Sequence, residues 1–148
     1  MTDAVVIDST TLGLLTNPAA KPLPAAARQW LVDLLMAGRR VIVPEIADYE
    51  VRRELVRAKK AVSLGRLNAL GFQAEYLPLT TAVMRHAADL WANIRNAGLP
   101  TASSQALDGD VILAAQALPL NVPVVVATDN VGHLSRFVPA APWKTIAP

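Results

Sequence analysis

Three short, almost purely apolar segments constrain the fold most: "AVVID" at 4–8, "RVIVP" at 40–44 and "VPVVVAT" at 122–128. None alternates apolar with polar residues, as a strand wetted on one face would. A continuous Val/Ile run of this length fits a strand buried on both faces, which is the habit of parallel sheets covered by helices. Each run is followed by residues patterned for a helix, so the repeating unit is strand, helix, strand. One α/β domain covering residues 1–148 is the expected architecture.

The remaining segments fill in the alternation. "TTLGLL" reads as a short helix after the first strand, and the Pro-rich "NPAAKPLP" leads to a helix over about 24–37, closed by Gly38. Residues 45–62 read as one helix, with Ala47, Val51, Leu55, Ala58 and Val62 forming a core stripe. A helix near 63–70, a strand at "AEYLPL", a helix over about 80–97, a loop "GLPTASSQAL", a helix at 108–118 and the strand at 122–128 complete the order.

Composition narrows the chemistry. The chain has 148 residues, 53% hydrophobic and 18% charged, which is enough apolar material for a packed core and too much for a disordered chain. It has no cysteine, so disulfides, thiolate zinc sites and cysteine nucleophiles are excluded together, and any metal must be held by oxygen or imidazole. No apolar run is long enough to span a bilayer and the N-terminus lacks a signal-peptide pattern, so a cytoplasmic protein without membrane contact is expected. The net charge of +2 is too small to announce a nucleic-acid binder. Five of the basic residues nevertheless fall in "YEVRRELVRAKK": Arg52, Arg53, Arg57, Lys59 and Lys60. Such a run is commonly a solvated helix face, and phosphate contact is its functional alternative.

In an open parallel sheet, ligands gather beyond the carboxyl ends of the strands, near the point where strand order reverses. Acids at those ends therefore carry most of the functional signal. Asp8 ends the first strand, Asp129 follows the most apolar one, and Asp108 and Asp110 open an Ala-rich helix. Each is also a good helix cap, so none is diagnostic alone. Glu50 is different: it lies inside a helix, at the edge of the apolar stripe, where no cap is needed. A parallel sheet with its first and fourth strands adjacent would bring Asp8, Glu50, Asp110 and Asp129 to one end. Carboxylates so gathered repel one another, and proteins hold them together chiefly to bind a hard divalent cation such as Mg²⁺ or Mn²⁺.

"VVIDSTTL", "VPEIADYEVRREL", "LDGDVILAAQAL" and "VVVATDNVGHLSRF", in this order and spacing, resemble the PIN domain family, including its VapC-type toxin ribonucleases. The resemblance spans essentially the whole chain. It implies a three-layer α/β/α fold with a mainly parallel five-stranded sheet, and a metal-dependent endoribonuclease leaving a 5′-phosphate and a 3′-hydroxyl. It places Asp8, Glu50, Asp110 and Asp129 as catalytic and metal-binding acids. Asp108 is then an auxiliary acid, Thr128 and Asn130 are a polar pair flanking the last acid, and Glu45 and Glu54 are alternatives to Glu50. Arg52, Arg53 and Arg57 become candidates for holding the RNA backbone. Partners implied are an RNA substrate and, for a toxin, an antitoxin protein; a homodimer is a further expectation.

Other classes fit less well. A metal-free ribonuclease would need His86 and His133 as acid and base. A haloacid dehalogenase-like phosphatase would need an aspartate two positions after Asp8, where Thr10 stands. "SLGRLNALG" lacks the spacing and the lysine of a phosphate loop. Trp30, Trp91 and Trp143 fall in apolar patterns that suit core or interface positions. A non-catalytic PIN-like module binding RNA or protein is the alternative that keeps the fold, and it typically lacks one or more of the acids.

Overall fold

The computed structural model describes residues 3–98 and 104–148, with 104–106 described as backbone only. Part of the expected loop at 98–107 thus lies outside the described residues. The sheet has five parallel strands: β1 (Ala4–Ile7), β2 (Val41–Pro44), β3 (Glu75–Leu77), β4 (Val124–Ala127) and β5 (Ala140–Ala141). Their order across the sheet is β3-β2-β1-β4-β5. Val5 and Val6 of β1 pair with Val41 and Ile42 of β2, while Ala4 to Ile7 pair with Val124 to Ala127 of β4. The chain thus builds outward from β1 through β2 and β3, then crosses back to add β4 on the other side. The reversal point falls between β1 and β4.

Strand side chains alternate between two cores, as the pleat requires. Val5, Ile7, Val41 and Val43 pack with Leu12 and Leu15 of α1 (Ser9–Thr16), Trp30 and Leu34 of α2 (Pro22–Met36), Ala47 and Val51 of α3 (Glu45–Arg57), and Leu67 and Leu70 of α4 (Ala61–Gln73). Ala4, Val6, Ile42 and Val126 pack on the opposite face against Leu113, Ala114 and Ala117 of α6 (Ser104–Ala117) and Leu134 of α7 (Val131–Leu134). Helix α5 (Thr81–Asn96) lies outside α6, joined through Ala87, Ile94, Leu107, Val111 and Ala115. Two helical layers therefore sandwich the sheet, as expected. Trp30 and Trp143 meet in the first core with ring centroids 5.6 Å apart, whereas Trp91 is on the surface beneath Arg95.

Two boundaries differ from expectation. The helix expected over 45–62 ends at Arg57, because Lys59 adopts a left-handed conformation with φ of 56°. The N–H of Lys59 donates to the Val56 carbonyl and that of Lys60 to the Leu55 carbonyl, which closes the helix end. Ala58 and Val62, expected in the core stripe, are exposed as a result. Helix α6 begins at Ser104 instead of 108, so Asp108 and Asp110 lie within it.

Candidate metal centre

Asp8 follows β1 directly and is 4% exposed. Its Oδ1 accepts hydrogen bonds from the Thr11 N–H at 3.0 Å and the Thr10 hydroxyl at 2.7 Å, so it caps α1. The cap is anchored in turn, because the Thr11 hydroxyl donates to the Ala127 carbonyl of β4 at 2.8 Å. Burial nonetheless pushes the Asp8 carboxyl above the usual carboxylate range, against the lowering effect of the Thr11 N–H and neighbouring hydroxyls. A cap oxygen and a site carboxylate are here the same side chain.

Glu50 comes from the middle of α3. That helix is held at its start by buried Gln116 of α6, whose Oε1 accepts from the Ile46 N–H at 3.3 Å and whose Nε2 donates to the Leu77 carbonyl at 2.8 Å. The Glu50 carboxylate lies over Gly109 of α6: a β-carbon there would stand 2.9 Å from Oε2 and 3.2 Å from Oε1. Only a glycine leaves room for this approach. Burial raises the Glu50 carboxyl above its ordinary range; Arg53 opposes the rise, while the charges of Asp110 and Asp8 add to it.

Asp110 sits seven residues into α6, too deep for a helix cap. Its carboxyl is also raised, first by burial and then by Asp8, with His133 and Arg136 pulling it down. Its Oδ2 is shielded from solvent and has no hydrogen-bond partner among the described residues. Nδ1 of His133 stands 3.8 Å from it.

Asp8, Glu50 and Asp110 line one small cavity of about 140 Å³, together with Ser9, Thr10, Gly109 and Asn130. It opens at the carboxyl ends of β1 and β4, the reversal point of the sheet. Two larger grooves, of about 710 and 660 Å³, lie beside Lys59 and Lys60 and beside Arg52, and neither includes these acids.

Not every expected residue is here. Asp129 is exposed and its side chain is not part of the cavity lining; its backbone N–H donates to the Thr10 hydroxyl at 3.1 Å. Asn130 lines the cavity instead, and buried Thr128 supports it by accepting the Asn130 N–H at 2.8 Å. Asp108 faces away, into a groove against Met84 and Trp91 of α5. Arg52 is paired with Asp48 at 2.7 Å and bonded to Asn68, and Arg57 is paired with Glu54. Of the three arginines, Arg53 alone acts on Glu50. Glu45 accepts the Leu79 N–H and is also away from the cavity. Arg136 and the Gly109 platform carry no signal in the sequence pattern and emerge from the packing.

The donor set fits a hard divalent cation: three carboxylates and an amide, one carboxylate oxygen buried without a partner. Among the described residues, no three acidic or histidine side chains converge closely enough to cage an ion as they stand. Burial is the first cause of their elevated pKa values, and for Glu50 and Asp110 the charges of neighbouring acids add to it, a contribution that a cation would relieve.

The model of the PIN domain family matches residues 5–136. Solved structures with the same fold include VapBC2 from Rickettsia felis bound to a DNA fragment from their promoter, with a TM-score of 0.72 at 15% identity over 95% of this chain and 98% of that one. FitAcB from Neisseria gonorrhoeae gives 0.71 at 19% identity, covering 96% and 99%. VapBC-1 from nontypeable Haemophilus influenzae gives 0.63 at 16% identity, again covering 96% and 99%. No curated protein matches the chain in sequence. No helix among the described residues is long and apolar enough to cross a membrane.

Proposed function

The chain belongs to the PIN domain family, and from that premise we propose that it is a Mg²⁺- or Mn²⁺-dependent endoribonuclease. The observation that carries this is the cavity at the β1/β4 reversal point, where Asp8, Glu50 and Asp110 meet from three separate elements. Capping explains Asp8 only in part and Asp110 not at all, and Glu50 in mid-helix has no structural use against Gly109. Three half-buried or buried carboxylates, each with a raised pKa, weaken the fold unless they serve a ligand. Their retention favours catalysis over a non-catalytic PIN-like binding module.

In this role Asp8, Glu50 and Asp110 hold the cation, and Asn130, supported by Thr128, orients substrate or water from the β4 side. Asp129, at the exposed rim, completes the set of acids when substrate or a cation draws it in. A bound divalent ion supplies a lowered pKa for the attacking water and charge stabilisation on the phosphodiester. The protein positions the scissile bond, with Arg53 beside Glu50 as its nearest cation from α3 for a phosphate. The products are fragments with 5′-phosphate and 3′-hydroxyl ends. The fold shared with VapBC and FitAcB structures supports a toxin role, for which an antitoxin protein and a second copy of the chain are the partners to seek.

Incubation of single-stranded RNA with the protein, in Mg²⁺ or Mn²⁺ and in EDTA, tests the proposal. Cleavage is expected only with the divalent ion, with 5′-phosphates on the fragments. Cutting that survives EDTA, or cyclic 2′,3′-phosphate ends, would replace it with imidazole chemistry.

A further inference from the structure

The acids of the cavity explain a cation site of oxygen ligands, and they leave one feature over. His133 is placed with some care. It lies on α7, whose Leu134 is buried in the second core and whose His133 and Leu134 N–H groups both donate to the Asn130 carbonyl. The His133 carbonyl accepts from Nε of Arg136 at 3.2 Å. These contacts hold the imidazole so that Nδ1 points into the protein, shielded from solvent, although the residue as a whole is part-exposed. Nδ1 has no hydrogen-bond partner among the described residues, and neither has the Asp110 Oδ2 that it faces.

Their separation is 3.8 Å. That is too long for a hydrogen bond, which a histidine and a carboxylate brought this close inside a protein would ordinarily make. It is within the span of two ligands on one ion, since two bonds of about 2.1 Å reach across as much as about 4.2 Å. An imidazole nitrogen and a carboxylate oxygen, both buried, neither hydrogen-bonded and 3.8 Å apart, are two potential metal ligands side by side.

We propose that His133 Nδ1 is a direct ligand, beside Asp110 Oδ2, to the cation of this site, and that it shifts the site's preference from Mg²⁺ toward transition-series ions. This rests on the metal site proposed above and adds its selectivity. Mg²⁺ favours oxygen ligands and retained water, while imidazole favours ions further along the first transition row, such as Co²⁺ and Zn²⁺. A site with one nitrogen among its oxygens therefore binds Co²⁺ more strongly than an all-carboxylate cavity would, and gains little for Mg²⁺.

Mn²⁺ supplies a spin that reports its own ligands. Pulsed electron paramagnetic resonance of wild type with one equivalent of Mn²⁺ should show nitrogen hyperfine coupling of a directly bound imidazole. The coupling should persist in His86→Gln and vanish in His133→Gln. Calorimetric titration should show Co²⁺ affinity falling on the order of tenfold in His133→Gln, with Mg²⁺ affinity changed by less than about threefold. Mn²⁺ bound by wild type without nitrogen coupling, or coupling that survives His133→Gln, overturns the ligand assignment while the carboxylate site stands. Mn²⁺ that fails to bind wild type, or binds Asp110→Asn equally well, overturns the carboxylate site as well. Because the chain has two histidines, coupling that persists in His86→Gln assigns the nitrogen to His133 even if His133→Gln does not fold, and coupling lost in His86→Gln overturns the assignment.

Discussion

Replacing Gly109 with alanine should separate the stability of the fold from the function of the cavity. Gly109 is a helical residue inside α6, and a glycine there costs roughly 0.8–1 kcal/mol relative to alanine. The new β-carbon would stand 2.9 Å from Glu50 Oε2, 3.2 Å from Oε1 and 3.3 Å from Cδ. Contacts that short do not persist, but the obstacle is the end of a flexible side chain, so Glu50 yields and α6 does not. Turning Glu50 off its preferred rotamer costs on the order of 0.5–1.5 kcal/mol, and its withdrawal from Asp8 and Asp110 returns part of that as relieved repulsion. The two effects nearly cancel. Stability should stay within about 1 kcal/mol of wild type, a shift of about 2–4 °C at most for a chain of this size. Function should not be spared, because displacing a ligand by about 1 Å can cost on the order of a hundredfold in rate. Thermal melts in EDTA and in Mg²⁺, alongside RNA cleavage, read both sides. A loss of stability beyond about 2 kcal/mol would mean that Glu50 is locked in place, and wild-type cleavage with full Mg²⁺ stabilisation would mean that its seat on Gly109 serves nothing.

Two further outcomes follow from charge. The Asp110 carboxyl is raised by burial, so its protonated form is favoured in the fold; that contribution is present below the ordinary carboxylate range and is lost as pH rises through the folded value. Asp110→Asn should therefore melt higher than wild type in EDTA at neutral pH, by on the order of 1 kcal/mol, with the gap closing as pH is lowered toward 4; a gap independent of pH would detach Asp110 from the buried cluster. Arg53→Ala should raise KM for RNA and weaken its dependence on salt, since phosphate contacts are screened and largely uniform in binding. Arg52→Ala should instead leave KM near wild type and cost about 1 kcal/mol or less of stability through its part-exposed pair with Asp48. Equal KM and salt behaviour in the two variants would mean that neither the pairing nor the face of α3 selects the arginine.

The fold was legible because its strongest signals are local. Val/Ile runs at 4–8, 40–44 and 122–128 read as doubly buried strands, and all three are central in the sheet. What failed was punctuation. The stop after Arg57 uses a lysine in the left-handed region, a position where glycine is the usual marker, so the charged run "RAKK" looked like uninterrupted helix. The start of α6 erred the other way. "LDGD" carries cap and turn residues that ordinarily open a helix, yet they sit inside one, because Gly109 makes room for Glu50 and Asp110 faces the cavity. The local rule is broken where the cavity lies.

The site was legible where one residue per element could be chosen, and not where neighbours competed. Asp8, Glu50 and Asp110 are each fixed by a strand end or a helix face, and the parallel topology brings them together without further information. After β4 the chain offers Thr128, Asp129 and Asn130 in succession; acidity favours Asp129, yet after the bend at Asp129 it is Asn130 that lines the cavity, although both residues are exposed. The arginines were separable in principle. Arg53 is three residues from Glu50 and shares its face, whereas Arg52 is two residues away and is held by Asp48 of its own helix and Asn68 of α4. Helical spacing, applied before charge was counted, would have found the one arginine that acts on Glu50. His133 follows no such rule. Its bearing on Asp110 depends on how α7 packs across α6, a contact between segments with no periodicity in common, and only the assembled core reveals it.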